Sequence, residues 1–301
     1  MTDAPLAARD ALVSSVPRPA RSSQQRFWRR LRGERKVQVG LVLVVFLGLV
    51  AIFGPALAPY DPEADDFDLF SAPSLDHPFG TDSFGRDILS RMIVGTRISF
   101  TVGISVAILS MLIGVTLGLL AGYFGGWLDN LIMRFMDLLW AFPEIILAVG
   151  MVAVFGAGIR NIIIAIAIAY LDDFARVVRA EVLRLREEEY TLAARSMGAS
   201  HPRVMLQHIL PNTVAPIIVQ ATFAVGLGIL AESGLTFLGL GVSPSTPTWG
   251  LTLNEGRDFI RQAWWISVFP GLAIMVTVLG LNLLGDGLRD TLDVRGVRDA
   301  G

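Results

Sequence analysis

Four uncharged apolar runs constrain this chain more than anything else in it. Val39–Ala58 spans 20 residues, Ile98–Leu128 spans 31, Thr213–Ala231 spans 19 and Ala263–Gly285 spans 23. A helix rising about 1.5 Å per residue needs about 20 such residues to cross a hydrocarbon core about 30 Å thick. Each run is therefore expected to be a transmembrane helix. Two further apolar stretches, Ile145–Ile159 and Asn161–Leu171, are divided by Gly156-Ala157-Gly158-Ile159-Arg160-Asn161. Gly156 and Gly158 suit a tight turn. Extended outward, the stretches give spans near Leu131–Phe155 and Asn161–Ala180. The fold class expected is thus an all-α integral membrane protein with six transmembrane helices. The first lies at 39–58, and the others at about 98–123, 131–155, 161–180, 212–232 and 263–285.

Composition closes the alternatives. Of the 301 residues, 53% are hydrophobic and only 17% charged, against about a quarter charged in an ordinary soluble domain. That excludes a soluble globular enzyme. A net charge of −2 gives no case for nucleic acid, and the absence of Cys removes disulfides, thiolate metal sites and Cys nucleophiles. The three histidines, His77, His201 and His208, are scattered without ligand spacing, so no metal site is expected.

Charge placement sets an orientation. With the N-terminus in the cytoplasm and six spans threaded, 19 of the 25 Lys and Arg fall inside and six outside: Arg86, Arg91, Arg97, Arg160, Arg257 and Arg261. The excess of cations inside places both termini in the cytoplasm. A basic stretch followed by an apolar run and Ala56-Leu57-Ala58 imitates a signal peptide. The 38-residue basic region and the full-span length of the run favour an uncleaved first helix. The expected organisation is a basic cytoplasmic segment at 1–38, the first helix, an external acidic segment at 59–97, a membrane unit at 97–286 and a cytoplasmic tail at 287–301. The 59–97 segment holds eight acidic and three basic residues with dense turn signals. It reads equally as an ordered cap beside the membrane or as a solvated loop, with His77 a turn residue.

Within the spans, Gly114-x3-Gly118-x3-Gly122 forms a strip of small residues on one helix face. Such strips let helix backbones approach closely in lipid, where no hydrophobic drive separates protein from solvent. Arg134 and Asp137, three apart, are spaced to pair. Pro143 is expected to break its helix just before Glu144. Asp172, Asp173, Glu144 and Glu232 are carboxylates at membrane depth, and such groups must face protein, water or a pathway. Asp172 lies 11 residues after Asn161, about 16 Å along a helix. Arg176 can pair with either Asp172 or Asp173. Successive helical residues diverge by about 100°, so it cannot easily neutralise both, and the other is then available to face a translocation cavity.

The longest inner segment between spans reads from Glu181 through Glu187-Glu-Glu-Tyr190, Thr191-Leu-Ala-Ala-Arg-Ser-Met-Gly198, and His201-Pro-Arg-Val-Met-Leu-Gln-His-Ile-Leu-Pro211. Ser200 before His201-Pro202 predicts an N-cap with Pro in the first turn. The expected pattern is a helix, a glycine break, a short helix, then Pro211 ahead of the fifth span. Ala193-Ala194-x3-Gly198, with Leu210-Pro211 at the matching distance, resembles the coupling-loop motif E-A-A-x3-G-x9-I-x-L-P of ABC importer permeases. Leu192 stands at the Glu position and His208 at the Ile position. The resemblance extends to His77-Pro-Phe-Gly-Thr-Asp-x2-Gly85-Arg-Asp87, to Phe237-Leu-Gly-Leu-Gly241 with Pro247-Thr-Trp-Gly250, and to Gly285-Asp-Gly-Leu-Arg-Asp290. These are similar to the C-type dipeptide and oligopeptide permeases, the glutathione permeases among them, over about Phe27 to Asp293.

The resemblance implies a type I ABC importer permease fold with a cytoplasmic coupling helix in a loop at 187–211. It implies a heterodimer with a second homologous permease, two ATPase subunits carrying ATP-Mg, a soluble substrate-binding protein and a peptide substrate. It also implies a site in the bacterial cytoplasmic (inner) membrane. Tyr190, Ala193, Ala194, Arg195, Gly198, Arg203, Leu210 and Pro211 would then contact the ATPase. The chain has one Lys, Lys36, preceded by Arg35, and no G-x4-G-K-[ST]. It therefore lacks that phosphate-binding loop, and is expected neither to be an enzyme nor to bind a cofactor itself. A self-contained secondary transporter or channel using the intramembrane carboxylates is the alternative. The lack of resemblance between the first and second three spans stands against it.

Overall fold

The computed structural model describes residues 31, 33–241 and 246–292. Most of the basic N-terminal segment and the tail beyond 292 lie outside the described residues. The described residues are helical, with a single antiparallel bridge between Thr81 and Asp87 and no strand.

The helices are α1 (Arg35–Leu57), α2 (Ile88–Phe124), α3 (Gly126–Trp140), α4 (Glu144–Phe155), α5 (Ile159–Ala169), α6 (Leu171–Leu185), α7 (Glu189–Ser196), α8 (His201–Phe237), α9 (Trp249–Gly256) and α10 (Trp265–Leu292). Four of them, α1, α2, α8 and α10, are long and apolar enough to cross a membrane, and α3 with α4 makes five if a bent pair counts as one span. The expected six are not reached by length and composition, and the reasons are local. The region expected to be the third span bends by 89° between α3 and α4, at Ala141-Phe142-Pro143, because Pro143 cannot donate to the preceding turn and Glu144 restarts the helix. The region expected to be the fourth breaks at Tyr170 (φ −102°, ψ 12°) into α5 and α6, and Asp172, Asp173 and Arg176 interrupt its apolar character.

α2 is the central helix, packed by α1, α6 and α8, while α10 packs on α1, α8 and α9. The glycine strip of α2 meets α6. A Cβ at Gly114 would stand 2.6 Å from the Phe174 Cβ, one at Gly118 2.5 Å from the Ala175 carbonyl, and one at Gly122 2.8 Å from the Val182 Cβ. The strip is thus a packing face within this chain. α5 packs higher on α2, where Val102 and Val106 join Ile162 and Ile166 in one apolar cluster and the Ser110 hydroxyl donates to the Ala167 carbonyl at 2.9 Å. α1 and α10 cross closely at Gly40, beside the Leu284 nitrogen and Gly280 oxygen. Lys36 at the start of α1 pairs with Asp290 near the end of α10 at 2.9 Å.

The acidic 59–87 segment is tied to the helices rather than solvated. Asp82 is fully buried and accepts from the Arg86 Nε at 2.7 Å. The Arg86 Nη2 donates to Glu255 of α9 at 2.8 Å, and fully buried Arg91 reaches the same carboxylate at 3.5 Å and the Pro62 carbonyl at 3.2 Å. Asp87 caps α2 by accepting from the Ser90 N–H at 2.8 Å and also holds the His77 Nδ1 at 2.9 Å. His77 is therefore a paired residue packed against Tyr60 and Phe67, more than a turn element. Gly80 and Gly85 take φ of +75° and +80°, a backbone that L side chains rarely adopt, which accounts for glycine at both places in this motif.

Pro211 does not open a new helix. The short helix expected after Ser200 runs unbroken into α8, because Val204–Ile209 widens into a π turn in which the Leu210 N–H bonds to the Met205 carbonyl. That five-residue step loosens the turn that Pro211, lacking an N–H, would otherwise disrupt. Ser200 precedes the helix with extended backbone (φ −66°, ψ 153°), and its side chain makes no capping bond.

Candidate functional site

The segment between α6 and α8 is built as a projecting hairpin. α7 begins after Glu188 and ends in a left-handed Gly198 (φ +83°). The Gly198 N–H bonds to the Arg195 carbonyl at 2.9 Å and the Ala199 N–H to the Ala194 carbonyl at 3.1 Å. These two bonds satisfy carbonyls left over at a helix end, and the geometry favours glycine at the turn. Inward, fully buried Thr191 donates its hydroxyl to the Leu185 carbonyl at 2.9 Å, and Ala194 is buried against the same stem. Outward, Tyr190, Leu192, Ala193 and Arg195 are exposed, with Met197 82% exposed beside them. A Cβ added at Gly198 meets nothing within 4 Å. α7 thus presents an accessible, mixed apolar and cationic face.

The residues singled out in the sequence divide accordingly. Tyr190, Ala193, Arg195 and Gly198 lie on or beside the open face. Ala194 lies beneath it. Arg203 is exposed at the first turn of α8, and Pro211 is exposed further along that helix. Leu210 is half-buried against the cluster of Leu119, Val178, Val182 and Ile209 and belongs to the stem.

Three contacts that the sequence did not foretell fasten this hairpin to the end of α2. The Arg186 Nη1 donates to the Gly122 carbonyl at 3.0 Å. The Tyr123 hydroxyl lies 2.8 Å from the His201 Nδ1, and the Arg195 guanidinium sits 4.8 Å from the centre of the Tyr123 ring. No local spacing foretells them, since Tyr123 and His201 are 78 residues apart.

The carboxylates at membrane depth occupy unlike surroundings. Asp172 is buried and paired with the Arg176 Nε at 3.4 Å. Arg176 also donates to Asp137 at 3.0 Å and lies over the Trp140 ring at 5.7 Å. The expected Arg134–Asp137 pair is replaced by this contact between α3 and α6, because the fold brings a cation from another helix closer. Arg179 and Asp129 make a second link between the same helices, with Nη2 to Oδ2 at 2.6 Å. Asp173 is half-buried and makes no ion pair among the described residues. Glu232 is fully buried and accepts from the Thr236 hydroxyl at 3.0 Å and the Ser233 hydroxyl at 3.3 Å. Glu144 is exposed at the α3–α4 break, beside a cavity of about 550 Å³ lined by Trp140, Phe142 and Pro143. A larger opening of about 710 Å³ lies between α6, α8 and α10, lined among others by Arg184, Asn212, Gln220, Phe223 and Arg289, and none of these four acids borders it.

Comparison with known proteins agrees with this architecture. Residues 114–296 match the family described as the inner membrane component of binding-protein-dependent transport systems. Residues 22–74 match the N-terminal transmembrane domain of oligopeptide transport permease C. A dipeptide transport system permease protein of Alkalihalophilus pseudofirmus is 45% identical over 267 residues, 88% of each chain. A glutathione transport system permease protein of Escherichia coli O6:K15:H31 is 48% identical over 289 residues, 95% of each chain. That of Shigella boydii serotype 4 is 48% identical over 291 residues, 95% of this chain and 96% of the relative. Its apolar helices and these matches together make the chain a multi-pass membrane permease, a member of the family of inner membrane components of binding-protein-dependent transport systems.

Proposed function

We propose that this chain is one of two homologous permease subunits of an ATP-driven importer of small peptides, di- or oligopeptides or glutathione, in the bacterial cytoplasmic membrane. Two separate ATPase subunits bind ATP-Mg and hydrolyse it, and a soluble binding protein delivers substrate on the face opposite the hairpin. The chain's own work is to alternate which side a cavity faces, biased by the ATPases. The observation that carries this reading is the exposed face of α7 ending at Gly198, in a chain belonging to this transport family. α7 is the coupling helix, which docks on an ATPase through Tyr190, Ala193, Arg195 and Gly198, with Arg203 at its edge. Ala194, Leu210 and Pro211 serve as its footing.

Six crossings and two cytoplasmic termini fit the contacts. The Lys36–Asp290 pair puts the start of α1 and the end of α10 on one side. That requires an even number of crossings. The ends of α2 and α6 meet at Gly122 and Arg186, and the start of α8 meets them at Tyr123, so residues 125–200 leave and return on that same side. α5 meanwhile packs beside Val102, deep along α2. α3 with α4 and α5 with α6 then make one crossing each, and the cation-rich side is cytoplasmic. The domain limits remain placed at 38, 58, 97 and 286, although α1 starts at Arg35, α2 at Ile88 and α10 ends at Leu292, so three of the four limits fall inside helices. Of the intramembrane acids, Asp173 is the one assigned to the pathway. Asp172 is engaged by Arg176, Glu232 is enclosed by hydroxyls, and Glu144 stands at the mouth of a smaller cavity.

Gly198→Trp tests the reading. A Cβ at this position meets nothing within 4 Å, and the strain of a side chain at φ +83° falls on the exposed turn rather than on the membrane helices, so the spans should assemble while ATP hydrolysis loses its link to import in the reconstituted transporter. Import and hydrolysis both at wild-type ratio would remove the hairpin as the coupling element.

A further inference from the structure

The hairpin from 187 to 200 is held at three places, and all three converge on the last turn of α2. Arg186, before the hairpin, grips the Gly122 carbonyl at 3.0 Å. Arg195, within it, stacks its guanidinium on the Tyr123 ring at 4.8 Å. His201, after it, meets the Tyr123 hydroxyl at 2.8 Å and packs against the ring of Phe124 at 5.8 Å. Tyr123 is the side chain shared by two of these, and it is only 5% exposed, packed in one apolar cluster with Leu119, Val178, Val182 and Val204. Upstream of Tyr123, Gly114, Gly118 and Gly122 press α2 against α6 with no room for a methyl group. A movement of α7 therefore reaches the membrane helices at a point where α2 and α6 cannot separate freely.

We propose that Tyr123 is a positioning residue for energy coupling: its hydroxyl and ring set the orientation in which the coupling helix meets the ATPase and make the hairpin move as one body with α2. This rests on the assignment of α7 as the coupling helix. A cation over an aromatic face and a hydrogen bond to a ring nitrogen are directional contacts. Together they fix the tilt of α7, where apolar packing alone would leave it free to rock. Arg195 also has a second consequence. Its guanidinium is exposed on one side while the ring holds the other, so its fork is presented outward in one orientation to an acidic partner.

The test uses the complete transporter in proteoliposomes and reads the ratio of ATP hydrolysed to peptide imported. Tyr123→Phe keeps the ring and removes the hydroxyl. One net hydrogen bond corresponds to about a five-fold change in an equilibrium, so the ratio should rise by about that factor while the complex melts near the wild-type temperature. His201→Ala should raise it similarly, and His201→Asn, which retains a hydrogen-bonding atom near the Nδ1 position, should restore it. The double variant Tyr123→Phe, His201→Ala should be no worse than either single one. A merely structural role predicts otherwise: lower yield, import and hydrolysis falling in parallel, an unchanged ratio and additive losses. That pattern overturns the proposal. An unchanged ratio in Tyr123→Phe alongside a raised one in Gly198→Trp overturns the positioning role and leaves the coupling helix standing. Unchanged ratios in both overturn the two together. Should Tyr123→Phe fail to assemble, His201→Ala against His201→Asn decides the matter from the hairpin side.

Discussion

Replacing Gly118 with Ala probes whether the contact between α2 and α6 is as close as it looks. The new Cβ would stand 2.5 Å from the Ala175 carbonyl oxygen, 3.0 Å from the Val178 Cβ and 3.1 Å from the Ala175 Cα. Two of these three atoms are backbone, so no side chain can swing aside. Carbon needs about 3.5 Å from such atoms, and α6 must therefore withdraw by most of an ångström over this stretch. Overpacking of this kind costs about 1–3 kcal/mol. The substitution also removes a glycine from a helix interior, which by itself favours folding by up to about 1 kcal/mol. Gly150→Ala isolates that gain, since Gly150 lies inside α4 with nothing within 4 Å of an added Cβ. The difference between the two variants is thus the contact term alone, about 2 kcal/mol. At about 2–4 °C per kcal/mol, Gly118→Ala should melt roughly 4–8 °C below Gly150→Ala. Thermal unfolding of each in the same detergent measures it. Equal melting temperatures would refute the reasoning and mean that the two helices sit further apart.

Other consequences can be checked separately. Cysteines at Leu75 and Met197, both highly exposed, should label from opposite faces of intact cells, with Leu75→Cys outside; labelling of both from one face would break the threading. Glu255→Gln leaves Arg86 and Arg91 with Asp82 as their remaining carboxylate among these contacts. Breaking a buried ion pair costs about 3–5 kcal/mol, so folded protein should be largely lost, and a normal yield would contradict the burial of this network. Asp173→Asn should shift uptake away from cationic peptides relative to anionic ones of equal size, while Asp172→Asn should lower stability, since it unbalances Arg176. The same preference in Asp173→Asn and wild type would make that acid structural.

What the sequence made legible follows from physics that acts along the chain. Membrane thickness dictates run length, so α1, α2, α8 and α10 could be placed without knowing their neighbours. The Pro143 break and the Gly114–Gly122 face are likewise local properties of one helix. Side-chain partnerships were a different matter. Spacing offered Asp137 a cation three residues away at Arg134, yet the fold supplies Arg176 from another helix, 39 residues on. The link from Arg86 to Glu255 joins residues 169 apart, and Tyr123 carries no periodic signal pointing to His201. Pro211 misled for a further reason. The rule that proline ends a helix presumes an α turn before it, and the wider turn at Val204–Ile209 removes that presumption.

That wider turn also changes the angular bookkeeping of everything after it. An α-helix advances about 100° per residue, and a turn holding one extra residue displaces all later side chains around the axis by about that angle. The faces of α8 beyond Leu210 are therefore out of phase with its first three residues, and a single helical wheel drawn from His201 to Phe237 assigns Asn212, Gln220 and Glu232 to the wrong sides. Such turns are how a helix stores an added residue without breaking. Deleting one residue between Val204 and Ile209 would spare the length and polarity of the span. The wide turn would close to an ordinary α turn and keep the coupling hairpin in phase with the membrane helices, whereas the same deletion in the regular part of α8 would rotate the hairpin by about 100° against them.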